Sequence, residues 1–168
     1  MNDWRIKTKV NKMISKINIT EFTERLNKNT KLGNPKIKGT PFAVLTISGE
    51  SEKPFFGTFD KTKFKLTENA TLFPTPFTIS GEINPKNDTQ TEINYEVLPI
   101  GFGYYWLKYM PIIGIFVFNL ILYTQSAPLK AYQIMNPIMF SFIVFSRFYM
   151  WRKKNKIEAD FKKIFEIE

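Results

Sequence analysis

Two amides and two cations occupy mirror-related positions in the last third of this 168-residue chain. Asn119 and Asn136 lie equally far from a midpoint between Ala127 and Pro128, Lys108 precedes Asn119 by eleven residues, and Arg147 follows Asn136 by eleven. Eleven residues make almost three whole helical turns, so on two antiparallel helices each cation shares a stripe with its asparagine. All four fall within residues 97–157, a stretch without a single Asp or Glu. Amides at matching depth on a helix pair in an apolar setting would hydrogen-bond to each other or to a third helix. The two cations would then converge at one end with no acid of that stretch between them. They would either snorkel apart to a polar surface or hold an outside anion, which is an anionic lipid headgroup or a carboxylate from a partner subunit.

Other chemistries are thinly supplied. The chain has no Cys and no His, which removes disulfides, thiolate nucleophiles, the commonest general base and the usual zinc and haem ligands. It contains no phosphate loop, nucleotide fingerprint or paired-carboxylate motif, and nothing in their spacing brings Asp60 and Glu82 together. The expectation is a non-enzymatic protein with no catalytic residues, no metal and no cofactor. The net charge of +9 divides into +4 for residues 1–103 (fifteen basic, eleven acidic) and +2 for residues 152–168 (six basic, four acidic), the rest lying around the apolar segments. Attraction to anionic lipid explains such an excess. The aromatics are patterned as core rather than as an exposed stacking platform, which argues against nucleic acid.

The elements that must position Asn119 and Asn136 are two apolar runs, 104–123 and 131–151. At about 1.5 Å per residue each is long enough to cross a hydrocarbon core of about 30 Å. The short connector 124–130 makes them antiparallel neighbours. Trp106 and Trp151 mark one shared interface, as aromatic belts do. The connector offers only Lys130, whereas Arg152, Lys153, Lys154 and Lys156 crowd the far end of the second run, so both termini are expected on the cytoplasmic side. Pro111 is expected to kink the first turns of its helix, and Asn136-Pro137 is an alternative helix start, which would make the segment re-entrant. In the tail 152–168, Ile157, Phe161, Ile164 and Phe165 share one face, predicting an amphipathic helix that extends the second run or lies on the membrane.

Residues 1–103 predict a cytoplasmic α+β domain. Residues 4–17 fit either a strand or a basic interfacial helix, with strand preferred. Thr20 is a plausible cap for a short helix ending near Lys28 and Asn29, with Phe22 and Leu26 inward. Five strand signals follow, at 41–48, 55–59, 64–67, 77–83 and 93–97, with Asp60-Lys61-Thr62-Lys63 as a hairpin turn; together they predict an antiparallel meander. Gly57 and Gly81 interrupt strands, marking a bulge or close packing.

The order of parts resembles a loosely defined family of small, uncharacterised bacterial membrane proteins. The resemblance runs from Phe55-Phe56-Gly57-Thr58-Phe59 through Phe64-Lys65-Leu66, Pro76-Phe77-Thr78-Ile79-Ser80-Gly81-Glu82-Ile83 and Thr91-Glu92-Ile93-Asn94-Tyr95 into the helical pair, about half the chain. It implies a strand-rich N-terminal domain followed by a two-helix transmembrane hairpin in the bacterial inner membrane, and no activity or catalytic residue. The function expected is that of an accessory or scaffold subunit of a larger inner-membrane assembly. The alternative is a membrane-tethered module binding a lipid or apolar ligand, with Phe42, Phe55, Phe77 and Tyr95 as lining.

Overall fold

A computed structural model describes residues 10–40, 42, 52–69 and 75–168. Where Ile79, Ile83, Ile93, Tyr95 and Val97 alternate with polar residues, the chain forms the two longest strands among the described residues, and both bury that alternate set. These strands are β5 (Phe77–Pro85) and β6 (Thr91–Pro99). With β1 (Asn11–Ser15), β2 (Thr30–Leu32), β3 (Phe55–Phe59) and β4 (Lys63–Glu68), they make a six-stranded sheet among the described residues, in the order β1-β6-β5-β4-β3-β2. The ambiguous segment is a strand from Asn11 onward, with Met13 opposite Ile93; residues 1–9 lie outside the described set. So does the predicted strand 41–48, apart from Phe42, which is exposed.

The sheet is mixed rather than an antiparallel meander. β2 runs parallel to β3, with Lys31 opposite Phe56. A parallel neighbour needs a crossover in place of a tight turn, and the chain supplies it in residues 33–54, which begin with the short helix α2 (Pro35–Lys38) capped by Asn34. The β3–β4 turn is tied by Asp60, whose Oδ1 accepts from the amides of Thr62 at 2.7 Å and Lys63 at 2.8 Å. Gly81 answers to packing. A Cβ there would come within 2.7 Å of Phe64 Cζ and 2.9 Å of Tyr95 Cβ. Only a bare backbone leaves space for the Phe64 ring lying across it.

One face of the sheet is covered by α1 (Ile19–Asn29) and by the far half of α4 (Leu129–Ile164). The start of α1 is set by Asn18, whose side chain accepts from the Glu21 amide at 2.9 Å; Thr20 falls inside the first turn. Phe22 and Leu26 point into the core as their i, i+4 spacing requires. From α4 come Ile157 and Phe161, followed by Phe165 and Ile167 just past its end.

Two expectations about the C-terminal third are corrected here. The predicted fold class paired a meander with a two-helix transmembrane hairpin and an amphipathic C-terminal helix. Among the described residues only α3 (Gly101–Thr124) is long and apolar enough to cross a membrane. The run 131–151 is the front part of a single 36-residue helix, about 54 Å long, that continues through the tail to Ile164. Lys130, Gln133, Asn136 and Arg147 dilute its apolar stretch, whereas α3 carries Lys108 as its only charge. The tail's apolar stripe meets the sheet rather than a membrane surface: Phe161 and Phe165 are fully buried. Pro111 and Pro137 lie inside continuous helices, and neither starts one.

Phe161→Ala is therefore expected to cost about 3–5 kcal/mol of stability in denaturant unfolding of the full chain in mild detergent. The exposed Phe140→Ala should change it by less than about 0.5 kcal/mol. Equal losses at the two positions would contradict the placement of α4 in the core.

Candidate functional site

Helix α3 leaves the sheet directly from β6. Pro99 is still paired with Phe77, and the Ile100 amide donates to the Pro76 carbonyl at 2.8 Å. The Tyr104 ring then meets Phe77 edge-on at 5.6 Å, fixing the first turn of α3 against the sheet. The chain reverses through residues 125–128, with Ser126 at φ 50°, and α4 returns antiparallel to α3. With Gly103, Lys108, Ile115 and Asn119 beside them, Tyr104, Leu107, Pro111, Gly114, Phe118 and Leu122 are among the less exposed residues of α3. Their spacing of three and four is that of a packing seam. Outside the seam the pair is apolar and open, with Phe116 78% and Phe145 65% exposed.

The seam is tied by polar contacts. Proline has no amide hydrogen, so Pro111 leaves the carbonyl four residues earlier, that of Leu107, without its helical donor. The Ser146 hydroxyl of α4 donates to this Leu107 carbonyl. Near the other end, Asn119 Nδ2 donates to Asn136 Oδ1 at 2.7 Å and to the Ile115 carbonyl of its own helix at 2.8 Å. An amide pair of this kind in an apolar setting contributes about 0.6–2 kcal/mol. The structure thus brings Asn119 and Asn136 together. Sequence reasoning missed Ser146, although the signal was present: a proline within a helix predicts a freed carbonyl four residues back.

The cations lie at the sheet end. Lys108 Nζ sits 5.4 Å from the Tyr104 ring centre and 5.2 Å from that of Tyr109. Arg147 is exposed, one residue from Ser146. Trp106 and Trp151 are 47% and 60% exposed, and each stacks within its own helix, Trp106 on Phe102 at 5.1 Å and Trp151 on Phe148 at 5.9 Å. Lys153 and Lys156 are engaged differently: each donates to a carboxylate oxygen of Glu68 on β4 at 2.6 Å. Burial works to raise the Glu68 pKa, but the two ammonium groups outweigh it and hold the carboxyl below its ordinary range. This clamp joins the sheet to α4. No local signal announced it, because Glu68 is far from both lysines along the chain.

Other clusters are structural. Tyr95 donates to Glu158 Oε1 at 2.9 Å, and burial, with this bond second, pushes its hydroxyl well above the usual range. Arg25 links Glu21, Glu166 and the Ile164 carbonyl, fastening α1 to the C-terminus. Lys38 is fully buried with its ammonium 5.1 Å from the Phe56 ring centre; burial first, then Lys31, lowers its pKa. The four proposed ligand-lining aromatics do not form one wall. Phe55 and Tyr95 fill the core, Phe77 packs on Tyr104, and Phe42 is exposed. An open groove of about 580 Å³ runs instead past Thr58, Lys65, Ser80, Glu82, Asn94 and Glu96. Asp60 and Glu82 both border it, Asp60 as the turn cap and Glu82 paired with Lys63 at 3.1 Å. Among the described residues no three His, Cys, Asp or Glu side chains are grouped to hold a metal ion.

Fold and site together define a mixed-sheet α+β domain from which one long apolar helix emerges, braced by a second helix rooted in the core. No family model, curated protein or solved structure matches the chain.

Ser146→Ala is expected to destabilise the protein by about 1–2 kcal/mol, and Pro111→Ala, which restores the helical donor, should remove most of that penalty in the double variant. An unchanged penalty on the Pro111→Ala background would show that Ser146 does not serve the freed carbonyl.

The Glu68 clamp predicts a pH dependence. The folded-state pKa of Glu68 is depressed, so its contribution is complete above the ordinary value of 4.5 and disappears as pH falls through the lower folded value. The wild type should exceed Glu68→Gln in stability by about 1–3 kcal/mol at neutral pH, with the gap closing under acid. A gap that stays constant from neutral to strongly acidic pH would rule the clamp out.

Proposed function

We propose that this chain is a non-enzymatic membrane-associated protein that holds its sheet domain at the membrane surface, as an accessory or scaffold component of a larger assembly in the bacterial inner membrane. The observation that carries the reading is that none of the apolar stretch of α3 is buried within the protein. A soluble chain does not leave so long an apolar surface uncovered, and acyl chains are the cover whose chemistry matches it. The aromatic residues at the sheet end, Trp106 and Trp151 among them, are of the type that gathers at the boundary of lipid and water.

Orientation follows from charge. The sheet end of the helical pair carries Lys108, Arg147, Arg152 and Lys154, whereas the opposite turn carries Lys130 alone. The sheet domain therefore belongs on the cytoplasmic side. A scaffold role is supported by the chain's lack of His and Cys and by an apolar unit too small to form a pore or carrier by itself. The resemblance to small bacterial membrane proteins points the same way.

The test is to fractionate bacterial cells making the full chain, extract the membranes with mild detergent and record native mass spectra. The protein is expected in the membrane fraction, in complexes heavier than the single chain. Recovery from the soluble fraction would overturn membrane association, and a stable monomer with no co-purifying protein would overturn the scaffold reading.

A further inference from the structure

The basic residues at the sheet end of α4 are sorted by direction. At about 100° per residue, Ser146, Met150, Lys153 and Ile157 follow one another along the inward face, and Ser146, Met150 and Ile157 are buried there. Lys153 and Lys156, three apart, turn to one flank and meet Glu68. Arg147, Trp151 and Lys154 recur at i, i+4 and i+7, and so form a stripe on the opposite flank. All three are exposed. Among the described residues no carboxylate pairs with Lys108, Arg147 or Lys154, while Glu68 accounts for both lysines on the other side.

The Asn119–Asn136 hydrogen bond shows which way that stripe looks. Asn136 precedes Arg147 by eleven residues, a rotation within about 20° of three full turns, and Lys108 stands in the same relation to Asn119. Because the two amides meet at 2.7 Å, the flanks that bear them are on the same side of the helix pair, and Lys108 and Arg147 lie beneath them on that side. Their heights agree as well. The Ser146–Leu107 bond sets Arg147 and Lys108 level with one another, next to the tie. Lys154 follows about 10 Å further toward the sheet, and exposed Trp151 lies between it and Arg147.

We propose that Lys108, Arg147 and Lys154, with Trp151 among them, bind the phosphate headgroup of an anionic phospholipid. The site deepens the membrane-association reading and rests on it. Three cations gather on the aromatic border of an apolar surface; residues 97–157 offer no acid to neutralise them, and Glu158, one turn beyond Lys154, is engaged by Tyr95 and Lys162. A headgroup phosphate supplies charge and hydrogen-bond acceptors at the height where its acyl chains would continue along the exposed apolar surface of α3. Lys153 and Lys156 take no part, because Glu68 already holds them.

Trp151 is the reporter, in a full chain carrying Trp4→Phe and Trp106→Phe and reconstituted with phosphatidylcholine containing a brominated lipid. Brominated phosphatidylglycerol should quench Trp151 more strongly than brominated phosphatidylcholine at the same mole fraction. Three cations near the surface imply a local enrichment on the order of 100-fold. The triple variant Lys108→Gln, Arg147→Gln, Lys154→Gln should lose the preference yet remain quenched by brominated phosphatidylcholine, and Lys130→Gln, at the far turn, should keep it. Equal quenching by both lipids in the parent protein would overturn the site and leave membrane association standing, as would a preference that survives in the triple variant. Absence of quenching by either lipid would overturn membrane association itself.

Discussion

The rings at the foot of α4 decide how everything else in the molecule is placed. Phe161 lies 5.2 Å from Phe64, 5.4 Å from Tyr95 and 6.4 Å from Phe55, centre to centre, while Phe165 packs at 4.6 Å on Phe22 of α1. One helix end thus touches three strands and the covering helix at once. Past it, the Glu168 amide donates to the Ile14 carbonyl at 3.1 Å, joining the C-terminus to the β1 edge. An interior packed this way has few alternatives, since aromatic rings in contact cannot shift singly without opening voids. Because α4 is continuous, fixing its foot also fixes the direction in which its other half leaves the sheet.

The helical pair depends on that anchorage, and the polar ties within it add registration. An apolar seam alone is tolerant of sliding, since one methyl group against another costs little to exchange. Ser146 on the Leu107 carbonyl and Asn119 on Asn136 are point contacts that sliding would break. Slippage would leave a proline-freed carbonyl and the Asn136 amide oxygen unsatisfied in an apolar setting, at roughly 1–3 kcal/mol each. The two ties stand about 18 Å apart along α3, so together they set both the offset and the rotation of the pair.

How much of this could be read from the sequence depended on whether a feature was local. The alternation in β5 and β6, the turn built on Asp60 and the apolar run of α3 each declare themselves within a few residues, and the Asn119–Asn136 contact followed from mirror spacing alone. β2 was missed because three residues give no period and its partner β3 lies across a long crossover. The tail's amphipathic helix is legible, and of its two expected placements the extension of the second run is the one found; its covering partner is not legible, because Ile157, Phe161, Ile164 and Phe165 would serve equally well against lipid or against a sheet, and one-sided amphipathicity does not name its partner. The second apolar run was overrated because its length met the criterion while its polar residues and its continuity with a core helix did not enter. Glu68 could not be found at all, since it lies 85 residues from Lys153 and is matched to it only by the fold.

That match also bears on why the basic cluster does not act as one diffuse charge. A carboxylate on β4 can reach only the flank of α4 that faces the sheet, and there it takes up Lys153 and Lys156, separated by a single turn. Half-buried as Glu68 is, leaving it unpaired would be costly, so those two lysines are committed to the contact between sheet and helix. Arg147 and Lys154 are held off that flank by helical geometry alone, whatever the sequence between them. Moving either by one position would rotate it by about 100°, toward Glu68 or away from the asparagine side. The sorting of cations into an internal clamp and an outward stripe is therefore a property of spacing along one rigid helix, with the direction of the stripe set by where the aromatic core has fixed that helix.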